Sequence, residues 1–273
     1  MQTNPKVIAR YFVQLGVDGL VRLRGQHDPL IPPTRLMYDG PPNRAEFIRN
    51  GDAYLSLFQN LLSLQPNEAV LDVGSGMGRK TRMLTKYLET SGRYVGLEIV
   101  QRGVDWCTKH ITSRFPNFTF VHADIANSMY NPAGSYTAET YRFPFDDDSF
   151  DVAILGSVFT HMMPAEVDHY LSELSRVLRP GARMLITYFL LNDDSRRAIA
   201  DGKAAFTFPH QLDDYSVEVA NAPMNAVAFR EELVREYYQR HQLVIEEPIR
   251  YGSWSAREAS LDFQDIIVAK KLA

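Results

Sequence analysis

Three carboxylates stand where three apolar, strand-like stretches of the sequence end: Asp72, Glu98 and Asp124. In an open parallel sheet, ligands bind outside the carboxyl ends of the strands, so we expect all three acids to face one crevice. A carboxylate binds an ammonium or a hydroxyl through a charge-assisted hydrogen bond. The three positions therefore favour a ligand that presents cationic and hydroxyl groups there.

A glycine-rich turn follows the first of these stretches, in the order Gly74-Ser75-Gly76-Met77-Gly78. Glycine lacks a Cβ, so the backbone of such a turn can approach a ligand closely. A dinucleotide site would use G-x-G-x-x-G, but Arg79 stands where the third glycine would fall. Asp72 would also repel a pyrophosphate. A tight turn without a ligand is the alternative reading of these glycines.

The positions of the three acids match the polar groups of one cofactor. Asp72 suits the ammonium of an amino acid, Glu98 suits a ribose diol, and Asp124 suits the exocyclic amine of a purine. S-adenosylmethionine carries these three groups and no phosphate. Glu98 and Asp124 could instead be solvated acids at strand ends.

Strand and helix patterns alternate along most of the chain, which predicts an α/β fold with a parallel sheet covered on both faces. We divide the chain into a helical, proline-rich N-terminal cap over residues 1–62 and a cofactor-binding domain over residues 63–273. Apolar residues at helical spacing predict helices over residues 6–15 and 44–62. Residues 192–229 are polar and irregular, and we expect them to form a structureless lid.

The composition narrows the possible partners. The chain has 273 residues and a net charge of −4, which gives no electrostatic attraction to nucleic acid or to anionic membranes. Its single cysteine, Cys107, excludes an intramolecular disulfide and fits a reducing, cytoplasmic setting. The N-terminus lacks the pattern of a signal peptide, and no apolar run is long enough to span a bilayer. The oligomeric state stays open.

The sequence resembles the class I S-adenosylmethionine-dependent methyltransferases over residues 66–271. The resemblance rests on five motifs in order: Leu71 to Gly78, Gly96-Leu97-Glu98, Ala123-Asp124-Ile125, Phe145 to Phe159, and Leu174 to Gly181. It implies a Rossmann-like three-layer sandwich, with a seven-stranded, mostly parallel sheet that ends in a C-terminal antiparallel hairpin. More narrowly, residues 157–161 and 264–268 look like a bacterial subgroup that methylates sugars or other small molecules on oxygen.

The resemblance also implies roles for the residues that bind the cofactor. Gly74, Ser75 and Gly76 would pass under the methionine part, and Glu98 would hold the ribose. The remaining implied contacts are with the adenine, through Ile99, Ile125 and Asp124.

The stretch from Gly156 and Ser157 to Met162 lies where the transferred methyl group should be, and we count Gly156 and Ser157 among the cofactor-binding residues. His161 is the best candidate for a general base, because histidine titrates near neutral pH. It could instead pack in the crevice wall.

Other residues are weaker candidates for acceptor and metal sites. His210 and Tyr215, in the insert, are candidate acceptor contacts, and His27 could belong to the same pocket. Asp193 and Asp194 could bind magnesium, although two adjacent acids are more often a helix cap or a solvated loop. We therefore assign no metal ligand.

Together these observations predict a methyltransferase that acts on an oxygen of a small or medium hydroxylated molecule such as a sugar or glycan. Two alternatives remain. The fold could bind the cofactor without catalysis, as a sensor or partner, or it could methylate nitrogen or carbon of a secondary metabolite. A nicotinamide oxidoreductase is disfavoured by Asp72 and Arg79.

Overall fold

The structure is a computed structural model that describes residues 13–20, 23, 28–40 and 43–272. Residues 13–20 are helical. Most of the helix predicted over residues 6–15 lies outside the described residues, as does His27.

Within the described residues, eleven strands form two sheets. In chain order they are β1 (Ala69–Val73), β2 (Arg93–Glu98), β3 (Phe118–His122), β4 (Phe150–Leu155), β5 (Leu178–Tyr188), β6 (Leu190–Leu191), β7 (His210–Gln211), β8 (Tyr215–Val217), β9 (Val227–Arg230), β10 (Leu243–Ile245) and β11 (Asp265–Lys271). The main sheet has seven strands in the order β10-β11-β5-β4-β1-β2-β3. The pairs within β1 to β5 are parallel, and β11 is antiparallel to both of its neighbours. The predicted α/β fold is confirmed.

Helices cover both faces of this sheet. They are α1 (Arg44–Leu62), α2 (Thr81–Leu84), α3 (Gln101–Cys107), α4 (Pro164–Val177), α5 (Asp193–Ala200) and α6 (Glu231–Arg240). Successive side chains of a strand point to opposite faces, so Val70 and Leu71 pack into two different hydrophobic layers. All five residues of β1 are buried, as expected for a central parallel strand. Among the described residues, we find no helix with the length and apolarity needed to cross a bilayer.

The N-terminal segment packs directly on the main sheet. Helix α1 begins after Asn43, whose side chain accepts hydrogen bonds from Ala45 N and Glu46 N. Its apolar face buries Phe47 and Phe58 in the layer that also contains Val70. The preceding segment contributes Leu30, Ile31 and Met37 to that layer. The predicted cap therefore shares a hydrophobic layer with the sheet.

The insert is structured, so the expectation of a structureless stretch over residues 192–229 is wrong. It contains α5 and strands β7 to β9, which join β6 in a four-stranded sheet of order β6-β9-β8-β7. Its apolar residues pack in a small third cluster around Phe189, Phe208 and Trp254. These strands have two to four residues, too few for the alternation of apolar and polar residues to be visible in the sequence.

Two other elements are short. The helix that follows the glycine turn, α2, has four residues. The implied C-terminal antiparallel hairpin is formed by β10 and β11, which have three and seven residues. Between them the chain makes one further bridge, Arg250 with Ile266.

Candidate active site

A cavity of about 340 Å³ opens at the carboxyl edge of the main sheet. Val73, Leu97 and Ala123 line its floor, and Gly156 lines the wall beyond β4. Ligand pockets in proteins typically measure roughly 300–1,000 Å³, so the cavity can hold a small molecule. It lies where the three predicted strand ends converge.

The glycine turn forms one wall of the cavity and depends on glycine at two positions. Gly74 and Gly76 have φ angles of 74° and 58°, in the left-handed region. A Cβ on Gly74 would lie 2.5 Å from Val158 Cγ2, and a Cβ on Gly76 would lie 2.5 Å from Asp39 Oδ2. The backbone can therefore run this close to the cavity only without side chains at these two positions.

Glu98 lines the cavity as predicted, at the end of β2. Its Oε2 accepts a hydrogen bond from Gly76 N at 2.7 Å, and its Oε1 accepts one from Val100 N at 2.9 Å. Burial raises the pKa of this carboxyl group to about 7, against the backbone hydrogen bonds, which lower it. Ile99 and Ile125 also line the cavity, as does Ala123.

Asp72 does not reach the cavity wall, which corrects its predicted direct contact with a ligand ammonium. The side chain is fully buried beneath the turn. Lys80 Nζ lies 2.9 Å from its Oδ1, and Tyr94 OH donates to its Oδ2 at 2.7 Å. A buried carboxylate is costly unless a cation neutralises it, and Lys80 neutralises Asp72 here. Lys80 itself lines the cavity.

Asp124 is also absent from the wall, although Ala123 and Ile125 on either side of it line the cavity. Strand β3 ends at His122, and the Asp124 carboxylate accepts hydrogen bonds from Ser135 N and Asn131 Nδ2 at 3.3 and 3.1 Å. These bonds lower its pKa. The structure therefore gives no support to its predicted contact with an adenine amine, because the side chain braces the following loop instead.

Residues of the N-terminal segment, which the sequence predicts to be a cap, complete the wall, although no motif singles out the individual residues. Tyr38, Asp39 and Tyr54 line the cavity. Asp39 Oδ1 and Tyr38 OH are buried and have no hydrogen-bond partner within the described part of the chain. Burial raises the pKa of Asp39, and Arg79, with Nη2 at 3.6 Å from Oδ2, lowers it. Only the fold brings this proline-rich segment to the glycine turn.

His161 lines the cavity beside Gly156 and Ser157. Its Nδ1 donates to the carbonyl oxygen of Met224 at 2.8 Å, because a carbonyl can only accept. Nε2 is then the unprotonated nitrogen of the neutral ring. Burial lowers the pKa of the imidazole, which favours this neutral form. Tyr130 packs edge-on against the ring, with 5.8 Å between the centroids.

The insert contacts the site through Met224 rather than through the predicted acceptor residues. His210 is exposed on β7, and Tyr215 on β8 packs against the main hydrophobic cluster. Neither lines the cavity, so their positions give no support to an acceptor role. Met224, in contrast, bonds to His161 and has its Sδ 3.5 Å from Asn127 Nδ2.

The acids suggested as magnesium ligands are engaged elsewhere. Asp193 and Asp194 are in the first turn of α5. Asp194 pairs with Arg257 at 2.7 Å and with Arg197 at 3.5 Å. Across the described residues, no group of three or more His, Cys, Asp or Glu side chains is placed to hold a metal ion.

The lining residues fit S-adenosylmethionine. Four of them have buried polar atoms that lack a hydrogen-bond partner among the described residues: Tyr38 OH, Asp39 Oδ1, Ser75 Oγ and Arg79 Nη2. Unpaired buried polar groups are costly and call for a partner. A polar cofactor would supply one, with Glu98 available for ribose hydroxyls and Ile99 and Ile125 available for the faces of adenine.

Comparison with known proteins agrees with this fit. Residues 71–186 match the family model described as a methyltransferase domain. With the fold, this match supports a class I S-adenosylmethionine-dependent methyltransferase. A solved structure from Pyrococcus horikoshii, of the protein PH0226, shares the fold with a TM-score of 0.58 at 17% identity, covering 90% of this chain and 97% of that one.

Curated relatives match the methyltransferase domain more closely in sequence. A phthiotriol/phenolphthiotriol dimycocerosates methyltransferase of Mycobacterium ulcerans is 32% identical over 43% of this chain and 36% of its own length. A ubiquinone/menaquinone biosynthesis C-methyltransferase of Wigglesworthia glossinidia brevipalpis is 29% identical over 49% of each chain. The chain thus spans half or less of these relatives.

Proposed function

We propose that this protein transfers the methyl group of S-adenosylmethionine to an oxygen atom of a hydroxylated small molecule, with His161 as the general base. The observation that carries the proposal is the state of His161. Its Nδ1 is occupied by Met224 O, so its Nε2 is available as an acceptor in a cavity that fits the cofactor. A base of this kind can remove the proton of a hydroxyl as the new bond forms.

The adenosine end of the cofactor is assigned to the Glu98 side of the cavity. Both Glu98 oxygens already accept one backbone hydrogen bond, and each retains a lone pair for a ribose hydroxyl. Ile99 and Ile125 provide apolar contacts for the adenine ring. The backbone of the turn at Gly74 and Gly76 would pass beside the sulfonium.

The amino acid end is assigned to the other side of the glycine turn. Asp39 Oδ1 is a buried carboxylate oxygen with no hydrogen-bond partner among the described residues and, unlike Asp72 Oδ1, no lysine beside it, so we assign to it the ammonium role that the sequence suggested for Asp72. Lys80, on the same wall, is placed to meet the cofactor carboxylate. Asp72 then acts through Lys80, since their ion pair holds the Lys80 ammonium in place.

The cofactor supplies an activated methyl carbon on a sulfonium, and the protein has to align the acceptor with it. His161 Nε2 would take the hydroxyl proton as the methyl group is transferred to the acceptor oxygen, which leaves the cofactor as a neutral thioether. The N-terminal segment contributes to the cavity wall, and Met224 of the insert holds His161 through its carbonyl oxygen. Both would help to exclude water from this step.

The cavity favours an apolar acceptor body over the sugar suggested by the sequence. Val158 and Met162, close to His161 in the chain, line the cavity with apolar side chains, and Tyr130 packs edge-on against the His161 ring. A sugar would need several hydrogen-bonding partners for its hydroxyl groups. The names of the two curated relatives point to lipid and quinone substrates, which are also largely apolar.

Carbon methylation is a second candidate, because one relative is named a C-methyltransferase. The same base could deprotonate an enol or a phenol whose ring carbon then receives the methyl group. Mass spectrometry of a methylated product separates the two outcomes, since only an oxygen-linked methyl is lost on ether cleavage.

Two experiments test the proposal. Calorimetry should show binding of S-adenosylmethionine and of S-adenosylhomocysteine, and absence of binding to both would refute the cofactor assignment. A transfer screen with labelled cofactor should then compare phenols, hydroxyquinones, hydroxy fatty acids and sugars, with and without magnesium. We expect transfer to apolar hydroxylated molecules without magnesium. Cofactor binding without transfer to any class would favour a non-catalytic binding protein.

A further inference from the structure

Gln264 lines the cavity in the position immediately before β11. Its Oε1 accepts hydrogen bonds from Thr187 Oγ1 at 2.6 Å and from Ser157 Oγ at 3.0 Å. Thr187 lies near the end of β5, and Ser157 follows β4. The amide therefore connects three adjacent strands at the carboxyl edge of the sheet, above the predicted methyl position.

The direction of these hydrogen bonds can be deduced from chemistry. Ser157 N donates to Thr187 Oγ1 at 2.7 Å, so the Thr187 hydroxyl is free to direct its own hydrogen to Gln264 Oε1. With Ser157 Oγ as the second donor, both lone pairs of Oε1 are used. The 2.6 Å separation from Thr187 Oγ1 is ordinary for an O–H···O hydrogen bond and shorter than N–H···O hydrogen bonds usually are. This distance favours the oxygen, rather than the nitrogen, of the Gln264 amide at this position.

The Nε2 group consequently has two hydrogens and faces away from Ser157 and Thr187. No described residue accepts a hydrogen bond from Gln264 Nε2. Nε2 is also not one of the fully buried atoms that lack a partner. Because Gln264 lines the cavity, a bound molecule can reach these hydrogens. The site thus contains a donor group that the methyl-transfer chemistry itself does not use.

Gln264 and His161 have opposite hydrogen-bonding roles on the same cavity wall. His161 Nε2 accepts a hydrogen, because Nδ1 carries the ring proton and donates it to Met224 O. Gln264 Nε2 can only donate. A molecule that satisfies both must present a hydroxyl to His161 and an oxygen lone pair to Gln264. If one hydroxyl oxygen served both, the hydrogen bond donated by Gln264 would draw electron density from the attacking oxygen and lower its nucleophilicity, so a second oxygen suits the reaction better.

We propose that Gln264 binds a carbonyl or carboxylate oxygen of the acceptor, so that the acceptor is an apolar molecule with both a hydroxyl and a carbonyl group. This inference rests on the proposed function and names the substrate class for the same site. The apolar body would contact Val158 and Met162. Gln264 would position the carbonyl oxygen by donating a hydrogen bond to it, while Ser157 and Thr187 hold the Gln264 amide in place.

Three probes that differ in a single group test the inference: 1-naphthol, methyl 1-hydroxy-2-naphthoate and 1-hydroxy-2-naphthoate. Their binding to protein saturated with S-adenosylhomocysteine is measured by quenching of naphthol fluorescence. A single hydrogen bond to an otherwise unpaired group is worth about 1–3 kcal/mol, so we expect the ester or the acid to bind about tenfold or more tightly than 1-naphthol. Tighter binding of the ester would indicate that Gln264 binds a neutral carbonyl, and tighter binding of the acid would indicate a carboxylate.

The variant Gln264→Glu keeps the oxygen that Ser157 and Thr187 bind but replaces the two donors with a carboxylate oxygen. We expect it to abolish the preference for the carbonyl probes and to leave 1-naphthol binding within about twofold. Gln211→Glu makes the same charge change at an exposed position of β7 and should change neither. Ser157→Ala removes one of the two bonds to Oε1 and should weaken the carbonyl preference partially.

Cofactor binding separates failure of this inference from failure of the proposed function. If wild-type protein does not bind S-adenosylhomocysteine, the proposed function fails. If it does, the inference is overturned by equal binding of all three probes, by binding of none, or by an equal loss for every probe in Gln264→Glu. It is also overturned if Gln264→Glu weakens S-adenosylhomocysteine binding, because Gln264 would then be a cofactor contact.

Discussion

Lys80 Nζ lies 2.9 Å from Asp72 Oδ1, and both side chains are almost entirely buried beneath the glycine turn. The pair joins the acid that precedes the glycine turn, Asp72, to a basic residue that follows the turn, Lys80. The pair explains why Asp72 does not itself face the cavity. It also holds a cationic side chain at the cavity wall.

Removal of one partner of this pair should destabilise the protein strongly. Lys80→Met leaves the Asp72 carboxylate buried without its cation, and we expect a loss of about 3–5 kcal/mol in the free energy of unfolding. Asp72→Asn combined with Lys80→Met should recover most of this loss. Urea denaturation measures both. Arg179→Ala breaks a more exposed ion pair with Asp151 and should cost no more than about 1 kcal/mol. Equal effects of Lys80→Met and Arg179→Ala would contradict the prediction.

Asp39 should contribute to the binding of the amino acid end of the cofactor only. We expect Asp39→Asn to weaken S-adenosylmethionine and S-adenosylhomocysteine binding by about ten- to a hundredfold, because hydrogen bonds to charged groups contribute about 1.5–3 kcal/mol. 5′-Methylthioadenosine lacks the amino acid end and serves as the matched ligand. Calorimetry should show its affinity unchanged. A parallel loss for all three ligands would mean that Asp39 shapes the cavity rather than binding the ammonium.

Cofactor affinity should depend on pH through Glu98. Burial raises the pKa of this group to about 7, and only the ionised carboxylate has lone pairs for both the backbone donors and the ribose hydroxyls. As the pH falls below about 7, protonation should therefore weaken S-adenosylhomocysteine binding, approaching about tenfold per pH unit. Glu98→Gln should bind more weakly and without this dependence. Wild-type affinity that is constant between about pH 5.5 and 8 would rule out the assignment of Glu98 to the ribose.

His161 should be needed for turnover but not for cofactor binding. Once the screen has identified a hydroxylated acceptor, His161→Ala should lower kcat by about a hundred- to ten-thousandfold, as for loss of a general base. S-adenosylhomocysteine affinity should stay within about twofold. His210→Ala, at an exposed position away from the cavity, provides the control and should leave kcat unchanged. Activity retained by His161→Ala, or lost by His210→Ala, would exclude this assignment of the base.

The same residue should set the lower limit of the pH–rate profile. Burial lowers the pKa of His161 from its usual value of 6.5, so the imidazole stays neutral to a lower pH than an exposed histidine. The rate of oxygen methylation at saturating cofactor should therefore be constant from about pH 8 to below about 6.5 and should fall only under more acidic conditions. A decline that begins above the usual histidine value would indicate a different base.

Much of the fold follows from local patterns in the chain. Apolar strands that end in glycine or in an acid alternate with helical stripes, and this periodicity is sufficient for the parallel order of β1 to β5. Gly74 and Gly76 were identifiable as a close-approach turn, since only glycine tolerates the φ angles and the contacts observed there. Glu98 was identifiable because it ends a predicted strand, and His161 because it lies in the stretch where the transferred methyl group is expected.

Other parts of the site depend on contacts between residues far apart in the chain. Asp72 faces Lys80 and Tyr94 instead of the ligand, and Asp124 faces Ser135. Which way a strand-end carboxylate turns depends on the cations and backbone donors that the fold brings near it, and spacing alone does not reveal these. The insert escaped prediction for a related reason, because its strands are stabilised by packing rather than by their length.

The sequence by itself determined the parallel sheet and the glycine turn, because each depends on backbone conformation or on spacing along one segment. The type of cofactor was indicated by the order of five motifs along the chain, since two of the three acids first assigned to it, Asp72 and Asp124, do not line the cavity. Only the tertiary structure decided which side chains surround the cofactor and the acceptor. Asp39 lies 37 residues before Gly76, and Gln264 lies 107 residues after Ser157, yet each pair is in contact. Such contacts arise from packing across strands, which a periodicity within one segment does not encode.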